Sequence, residues 1–597
     1  MTARIAHDVR QDRRADGTLL LRSAIPPRPC VANTGVWLHR WATEVPDRVF
    51  LAERRGAGWR EESYAATLQQ VRALAAALLG RGLTPQTPVA VLSGNGVDHG
   101  MLALAAQYVG IPIVPLAEQY SLIPEAHGRL VEALRLVRPG MIYVSDAARF
   151  AGALALEALA GIEIVASLPD GAPRAVTPFA ELLKGDASAD LDAAHAAVGP
   201  DTLAKILLTS GSTSSPKGVL TTQRMMCVNQ AQIAAVLPFL EERPPVLLDW
   251  LPWNHVFGGS HNFNMMLAHG GSLYIDDGKP VKPHFARSVE NLRMMAGTLA
   301  MNVPVGYALL LEALRQDQDL KRRFFADLDL IFYAGASLPA ETWAGLERMA
   351  TEIRGDVPLM ISSWGMTETA PAAIMVHEDM GGAGVIGVPL PDVRVKLLPL
   401  AEDRFELRVA GPNIMPGYYH DPEKTAAAFD EEGFLVTGDA VKLRDPANPN
   451  AGLQFDGRTS EDFKLSTGTW VRAANLRLAV LGALDGLVQD VVVTGQDRAE
   501  IGLLVFPLPA ALAEAGDGPV LQAPALAAEI AGRLRAGDRQ AGSSMRVARA
   551  LLMAEPPSVR EGEITPKGSL NARRILTRRA DLVARLYDDS DPDVIRI

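Results

Sequence analysis

Cysteine is nearly absent: Cys30 and Cys227 are the only two in 597 residues. Two thiols build neither a disulfide framework nor a four-thiolate zinc site, so both read as isolated buried thiols of a reducing compartment. A long apolar run is missing as well. The most apolar early stretch, residues 101–117, is broken by Gln107, Pro112 and Pro115 and falls short of the about 20 residues that cross a bilayer. The opening MTARIAHDVRQDRRADG lacks the apolar centre of a signal peptide. Excess positive charge is the third absence: 58 Lys and Arg stand against 69 Asp and Glu, for a net charge of −11. That balance argues against a broad cationic surface, though not against a local basic pocket. The expectation is a cytoplasmic protein with no membrane and no nucleic-acid partner.

What is present is length and alternation. A chain of 63.9 kDa exceeds what one hydrophobic core supports, so at least two domains are expected. Hydrophobic residues at 48% and charged ones at 21% are ordinary for a globular protein and exclude disorder as the dominant state. Residues 1–30, basic and without clear periodicity, predict a loosely packed arm. Apolar residues then recur at helical spacing over 64–81, stopping at Gly80 and Gly82. PVAVL at 88–92 and IPIVP at 111–115 predict short buried strands around a helix over 99–108. Further strand-like runs at 141–144, 162–165, 246–248 and 331–334 continue the alternation, which implies α/β architecture.

From residue 393 the texture changes: VRVKLL, FELRVAG and GFLVTGD are close-spaced strand candidates of a β subdomain. Beyond Asp456 a charged segment precedes a last α/β portion, with strands at 490–494, 501–506 and 548–553 around an Ala-rich helix. The predicted fold is therefore α/β: a large domain over 31–457, of mostly parallel sheets flanked by helices plus the β subdomain, and a small C-terminal α/β domain over 458–597.

The segment that carries most chemistry is TSGSTSSPKG, residues 209–218, which follows the apolar run Ile206–Leu208. A loop at a strand end is where α/β sheets bind ligands. The hydroxyls of Thr209, Ser210, Ser212 and Thr213 and the backbone amide of Gly211 can cradle a polyphosphate, and Lys217 can offset its charge. It is not a P-loop, because Pro216 and Gly218 stand where that motif needs Gly and Ser or Thr.

TSGSTSSPKG resembles the phosphate loop of the adenylate-forming enzymes: acyl- and aryl-CoA synthetases, luciferases and peptide-synthetase adenylation domains. Three later segments repeat the resemblance in order: WGMTE at 364–368, TGD at 437–439 and GRTSEDFK at 457–464. Within that group LPWNHVFGG at 251–259, the following SHNFN, and FKLSTGTWV look most like the feruloyl-CoA synthetase type. The resemblance implies ATP-dependent activation of a hydroxycinnamate (ferulate, p-coumarate or caffeate) as acyl-AMP. Transfer to coenzyme A and release of AMP and pyrophosphate follow, with rotation of the C-terminal domain between the two steps. It also allows a homodimer.

Residue by residue, the resemblance gives Glu368 the orientation of Mg²⁺ and lets Thr367 donate to the α-phosphate, with Gly365 and Met366 in the same turn. Trp364, or the Gly335-Ala336-Ser337 strand end, flanks the adenine. Asp439 accepts the ribose hydroxyls, Arg458 serves the ribose and phosphate region, and Lys464 contacts the nucleotide. His255 sits beside the acyl carboxylate. The family's C-terminal Gly-Lys is replaced by EITPKGSLNARR at 563–574, where Ser569 falls at the lysine position and Lys567 is the nearest cation. Lys567 is taken as the catalytic lysine. The acidic hinge position is occupied by Ser460. Two other readings remain open: a CoA ligase for another aryl or aliphatic acid, and a catalytically silent nucleotide- or acyl-binding homologue.

Overall fold

The computed structural model describes residues 5–597 apart from 186–188, 210–215, 282, 336–337, 401–402, 460, 509–511, 513–517, 539–541, 543, 559–560 and 565–569. The chain divides into two compact units. The first runs to Phe455 apart from short stretches, and the second comprises Gly438–Val441 and Asp456–Ile597 among its described residues.

Two sheets organise the first unit. In the seven-stranded sheet, Val89–Val91, Ile113–Pro115, Met141–Asp146, Glu163–Leu168, Thr177–Pro178 and Leu203–Thr209 run parallel. Lys217–Thr222 joins Leu203–Thr209 antiparallel at one edge. Three-residue strands such as Val89–Val91, fully buried, are what a continuous apolar run between turns produces. Helix Tyr64–Gly80 starts where the Ser63 hydroxyl accepts from Ala66 N at 3.2 Å. Its C-terminal turn leads to Gly82 at φ +70°, a backbone state a side chain resists.

The fifteen-stranded sheet is mixed. Its parallel centre contains Val49–Arg55, Ser272–Ile275, Val246–Asp249, Leu299–Asn302, Leu330–Tyr333 and Leu359–Gly365 in spatial order. The close-spaced strands after residue 393 are present as Arg394–Pro399, Phe405–Ala410 and Leu435–Leu443, and they extend this same sheet.

The expected N-terminal arm is a correction. Val9–Arg13 and Leu19–Ser23 form a hairpin whose second strand pairs antiparallel with Arg394–Pro399. Leu19 and Leu21 are buried while Leu20 and Arg22 face outward, and this alternation over so few residues is easily missed between basic neighbours. His7 Nδ1 bonds the Asn450 carbonyl at 2.9 Å, and His377 Nδ1 bonds that of Ile5 at 2.8 Å. The thiols differ from expectation in one respect. Cys227 is buried in helix Gln223–Val236, but Cys30 is exposed; both are free.

The second unit holds a four-stranded sheet of Val488–Thr494, Ile501–Pro507, Val547–Leu552 and Ile595–Arg596. Its central strand feeds two cores by simple alternation: Leu503 and Val505 pack toward Ile530 of helix Pro524–Asp538, Leu504 and Phe506 toward Ile575 of helix Ala572–Arg578. Among the described residues no helix is long and apolar enough to cross a membrane.

Candidate active site

The edge hairpin of the seven-stranded sheet sets Thr209 opposite Lys217. Gly218 then passes so close to the neighbouring chain that a Cβ would lie 3.0 Å from Ile206 Cγ2 and 3.1 Å from Tyr419 Cβ. Its carbonyl accepts from Tyr419 N at 2.7 Å, and Leu220 N donates to Gly417 O at 3.2 Å. This stitching brings Tyr418 beneath the hairpin, with Lys217 Nζ 5.0 Å from the centre of its ring. The Tyr418 hydroxyl donates to Glu368 Oε1 at 2.9 Å. Burial and the Glu368 carboxylate push the phenol pKa far above its ordinary range. Lys217 and Glu368, far apart in sequence, thus meet across one tyrosine.

The turn bearing Thr367 and Glu368 is held from behind. Gly365 ends strand Leu359–Gly365 where a Cβ would sit 1.8 Å from the Pro371 carbonyl, so only glycine allows that approach. Met366 N donates to Thr369 Oγ1 at 2.9 Å, and Met415 N to Glu368 O at 2.8 Å. Beneath lie the fully buried amides of Asn229 and Asn413. Asn229 Nδ2 donates to Ala372 O at 2.7 Å, and Asn413 Nδ2 to Thr369 O at 2.8 Å. Buried side chains satisfied in this way fix a single arrangement of the backbone above them.

LPWNHVFGG folds as a loop followed by the π-helical turn Phe257–Asn262 and helix Phe263–Ala268. The glycine pair is a packing requirement: a Cβ on Gly258 would meet the Leu251 carbonyl at 2.3 Å, and one on Gly259 the Trp253 carbonyl at 2.1 Å. Half-buried His255 accepts from Phe257 N on Nδ1 at 3.3 Å, so the hydrogen of the neutral ring lies on Nε2, able to donate. Lys205 reaches across from the seven-stranded sheet, wholly buried, and its ammonium donates to Gly259 O. Burial lowers its pKa to about 7.

The same turn lies by the carboxyl ends of the parallel strands, where α/β sheets bind ligands. Asp249 ends its strand wholly buried, and burial raises its pKa to about 7. Trp364, 7% exposed, pairs with Ile374. Gly335 follows strand Leu330–Tyr333 at φ +88°, with open space where a side chain would be.

In the second unit, Gly438 at φ +72° turns the chain so that Asp439, 8% exposed, lies 3.5 Å from the Nε of the exposed Arg458. Thr459 locks the pair, its N and Oγ1 both donating to Gly438 O, at 2.9 and 3.0 Å. Lys464 is exposed on the short strand Phe463–Lys464. Ile564 and Leu570 pair as an antiparallel bridge. The approach to it is anchored by buried Glu563, which accepts from Arg579 Nε and Nη2 at 2.8 Å each and from Ser558 N at 2.8 Å. Burial opposes ionisation there, but the Arg579, Ser558 and Arg578 hydrogen bonds prevail and hold the carboxyl at about 2.

The profile of the AMP-binding enzyme family matches residues 38–419, and that of the AMP-binding enzyme C-terminal domain matches 462–591. The chain belongs to the AMP-binding enzymes. It is 26% identical over 446 residues to a 3-[(3aS,4S,7aS)-7a-methyl-1,5-dioxo-octahydro-1H-inden-4-yl]propanoyl:CoA ligase of Rhodococcus jostii, covering 72% of this chain and 81% of that protein. A carboxylic acid reductase of Mycobacterium marinum is 25% identical over 497 residues, 75% of this chain and 40% of that protein. Among solved structures, the adenylation domain of a carboxylate reductase from Mycobacterium chelonae superposes with a TM-score of 0.71 at 20% identity, over 95% and 94% of the two chains. O-succinylbenzoate coenzyme A synthetase of Bacillus subtilis, in complex with AMP, gives 0.67 at 18% identity, over 92% and 98%. The last two likenesses establish the adenylate-forming fold.

In this AMP-binding enzyme, the first unit brings Lys217 and Glu368 together and the second brings Asp439 and Arg458 together. Ser210, Gly211, Ser212, Thr213, Ala336, Ser337, Ser460, Lys567 and Ser569 lie outside the described residues. No cluster of three or more His, Cys, Asp or Glu suited to a metal occurs among the described residues. Motif reading passed over Tyr418, Lys205, Asp249, Asn262 and His261. Only SHNFN, polar in an otherwise apolar helical stretch, carried a signal for the last two.

Proposed function

We propose that this AMP-binding enzyme is an ATP-dependent acid–CoA ligase, and that its acid is a hydroxycinnamate such as ferulate, p-coumarate or caffeate. The ligase class is supported by the similarity to an acyl:CoA ligase over most of both chains; the acid is supported by the LPWNHVFGG and SHNFN segments. The observation that carries the reading is the Lys217–Tyr418–Glu368 cluster at the mouth of the phosphate hairpin.

A carboxylate is a poor electrophile because its leaving group would be oxide. Joining it to the α-phosphorus of ATP makes AMP the leaving group, but brings two anions together, so cationic charge is needed on both sides. Lys217 supplies one cation at the end of the hairpin. Glu368, with one oxygen engaged by Tyr418, is the carboxylate that would hold a Mg²⁺ ion, which would supply further positive charge against the phosphates. Thr367 donates to the α-phosphate in this reading, and His255 Nε2–H to the acid. Asp439 accepts the ribose hydroxyls as a bidentate acceptor, with Arg458 beside it as a rigid fork. Trp364 and Gly335 belong to the adenine side, and Lys464 to the nucleotide. Lys567 of the C-terminal domain, residues 458–597, supplies the remaining cation during adenylation, after which that domain rotates to admit coenzyme A.

The test is direct. Protein, ATP, Mg²⁺, ferulate and coenzyme A should yield AMP together with the near-ultraviolet absorbance of the thioester. AMP release with other acids but with no hydroxycinnamate would overturn the substrate and keep the ligase. No acid-dependent pyrophosphate exchange with any acid would overturn both.

A further inference from the structure

His261 lies inside the protein, 1% exposed, with its ring stacked on Phe332 at 5.0 Å between centroids and 29° between planes. Phe257 meets it edge-on at 5.7 Å. Phe332 belongs to strand Leu330–Tyr333, which leads into Gly335, so His261 stands at the carboxyl edge of the parallel sheet. Burial holds its pKa at about 4, and the ring is neutral around pH 7.

Which nitrogen carries the hydrogen is settled two residues deep. Asp249 Oδ1 accepts from Leu251 N at 3.0 Å, and Oδ2 accepts from Asn262 Nδ2 at 2.9 Å. That second bond orients the Asn262 amide and turns its Oδ1 to His261 Nδ1, at 2.9 Å. An amide oxygen only accepts, so Nδ1 bears the hydrogen and Nε2 presents a bare lone pair. Nε2 is buried without a hydrogen-bond partner among the described residues, and so is Gln230 Oε1. Gln230 lies against the same turn, its Nε2 donating to the carbonyls of Ser260 at 3.4 Å and His261 at 3.2 Å. Two acceptors facing no donor cost stability unless a ligand brings one.

Resting on the ligase reading above, we propose that His261 is the specificity-determining residue of the acid site, selecting acids that carry a hydroxyl or other hydrogen-bond donor away from the carboxylate. The Asp249–Asn262 pair is its positioning device. A site that leaves a buried acceptor unpaired rejects the analogue lacking the donor much more strongly than an apolar pocket rejects a missing methylene.

The experiment compares matched acids in acid-dependent pyrophosphate exchange at pH 8: p-coumarate against cinnamate and 4-methoxycinnamate, and 4-hydroxybenzoate against benzoate. The wild type should favour a hydroxy acid by roughly 100-fold or more in kcat/KM, in line with hydrogen-bonded recognition. His261→Leu should bring that ratio to within about 10-fold while still turning over the deoxy acid, a split that simple misfolding would not give. His261→Gln, which keeps an acceptor, should restore part of it. Equal use of both members of each pair by the wild type, or an unchanged ratio in His261→Leu, would overturn the proposal. If no acid supports exchange, the ligase reading itself fails. The tautomer then decides: ¹⁵N spectra of histidine-labelled protein, assigned against His261→Gln, should show hydrogen on Nδ1, and hydrogen on Nε2 would sink the inference independently.

Discussion

Tyr418 and Glu368 are joined by a hydrogen bond of 2.9 Å from phenol to carboxylate, with the tyrosine ring in turn beneath the Lys217 ammonium. In the proposed role of Glu368, the other carboxylate oxygen would be the one to meet a cation. Tyr418→Phe keeps the ring and removes the hydrogen bond. Loss of an outer partner of a metal-binding group typically costs about 10–100-fold. The variant should therefore need that much more Mg²⁺ for half-maximal pyrophosphate exchange, with its thermal unfolding little changed. An unaltered Mg²⁺ dependence would remove Glu368 from the cation's surroundings.

Variants at Lys567 and Ser569 decide which of the two serves adenylation. Lys567→Ala should slow acyl-adenylate formation by roughly 100-fold or more, the scale of a lost electrostatic contact to the reacting centre. Thioester formation from supplied acyl-adenylate should stay close to wild type. Loss in Ser569→Ala with none in Lys567→Ala would reverse the assignment.

Gly259→Ala tests whether the glycine pair is structural. The added methyl would lie 2.1 Å from the Trp253 carbonyl, backbone that cannot give way as a side-chain tip can. Overpacking of this kind costs about 1–3 kcal/mol or more. The midpoint in urea should fall, and acid KM should rise because the loop that carries His255 must shift.

Asp249 and Lys205 pull stability in opposite directions across neutral pH. The folded pKa of Asp249, raised by burial from 3.8 to about 7, means the native state holds a proton that the unfolded chain has released. Its contribution therefore declines as pH climbs from about 4 to 7. Lys205, lowered by burial from 10.5 to about 7, has given up a proton the unfolded chain retains. Its contribution recovers between pH 7 and 10.5. Each swing is on the order of a few kcal/mol. Denaturant titrations at pH 5, 7 and 9 should show the acid-side slope flatten in Asp249→Asn and the alkaline-side slope flatten in Lys205→Met. Unchanged slopes would mean neither group titrates as described.

Much of the fold was legible because buried parallel strands leave short β-branched runs between turn residues: PVAVL and IPIVP sit where Val89–Val91 and Ile113–Pro115 are found. The N-terminal hairpin was not, since the partner of Leu19–Ser23 is a strand hundreds of residues later and its own pattern is short. For the site, glycines spoke through spacing: Gly218, Gly258, Gly259 and Gly365 each mark a place where backbone crowds backbone or side chain. Tyr418 was silent, and His261 was marked only by the polarity of SHNFN. A tyrosine in GYYH and a histidine in SHNF gain chemical meaning only from what the tertiary structure sets against them, Glu368 in one case and the oriented Asn262 amide in the other.

The placement of Val9–Arg13 and Leu19–Ser23 at the rim of the fifteen-stranded sheet has a consequence for biogenesis. The ribosome releases this hairpin long before its docking strand, Arg394–Pro399, which lies hundreds of residues later. Until then both ribbons carry unsatisfied ladders, the kind of edge that recruits a stranger's backbone. Amino-terminal fusions or trimming past Ser23 should accordingly lower the soluble yield well before they touch catalysis.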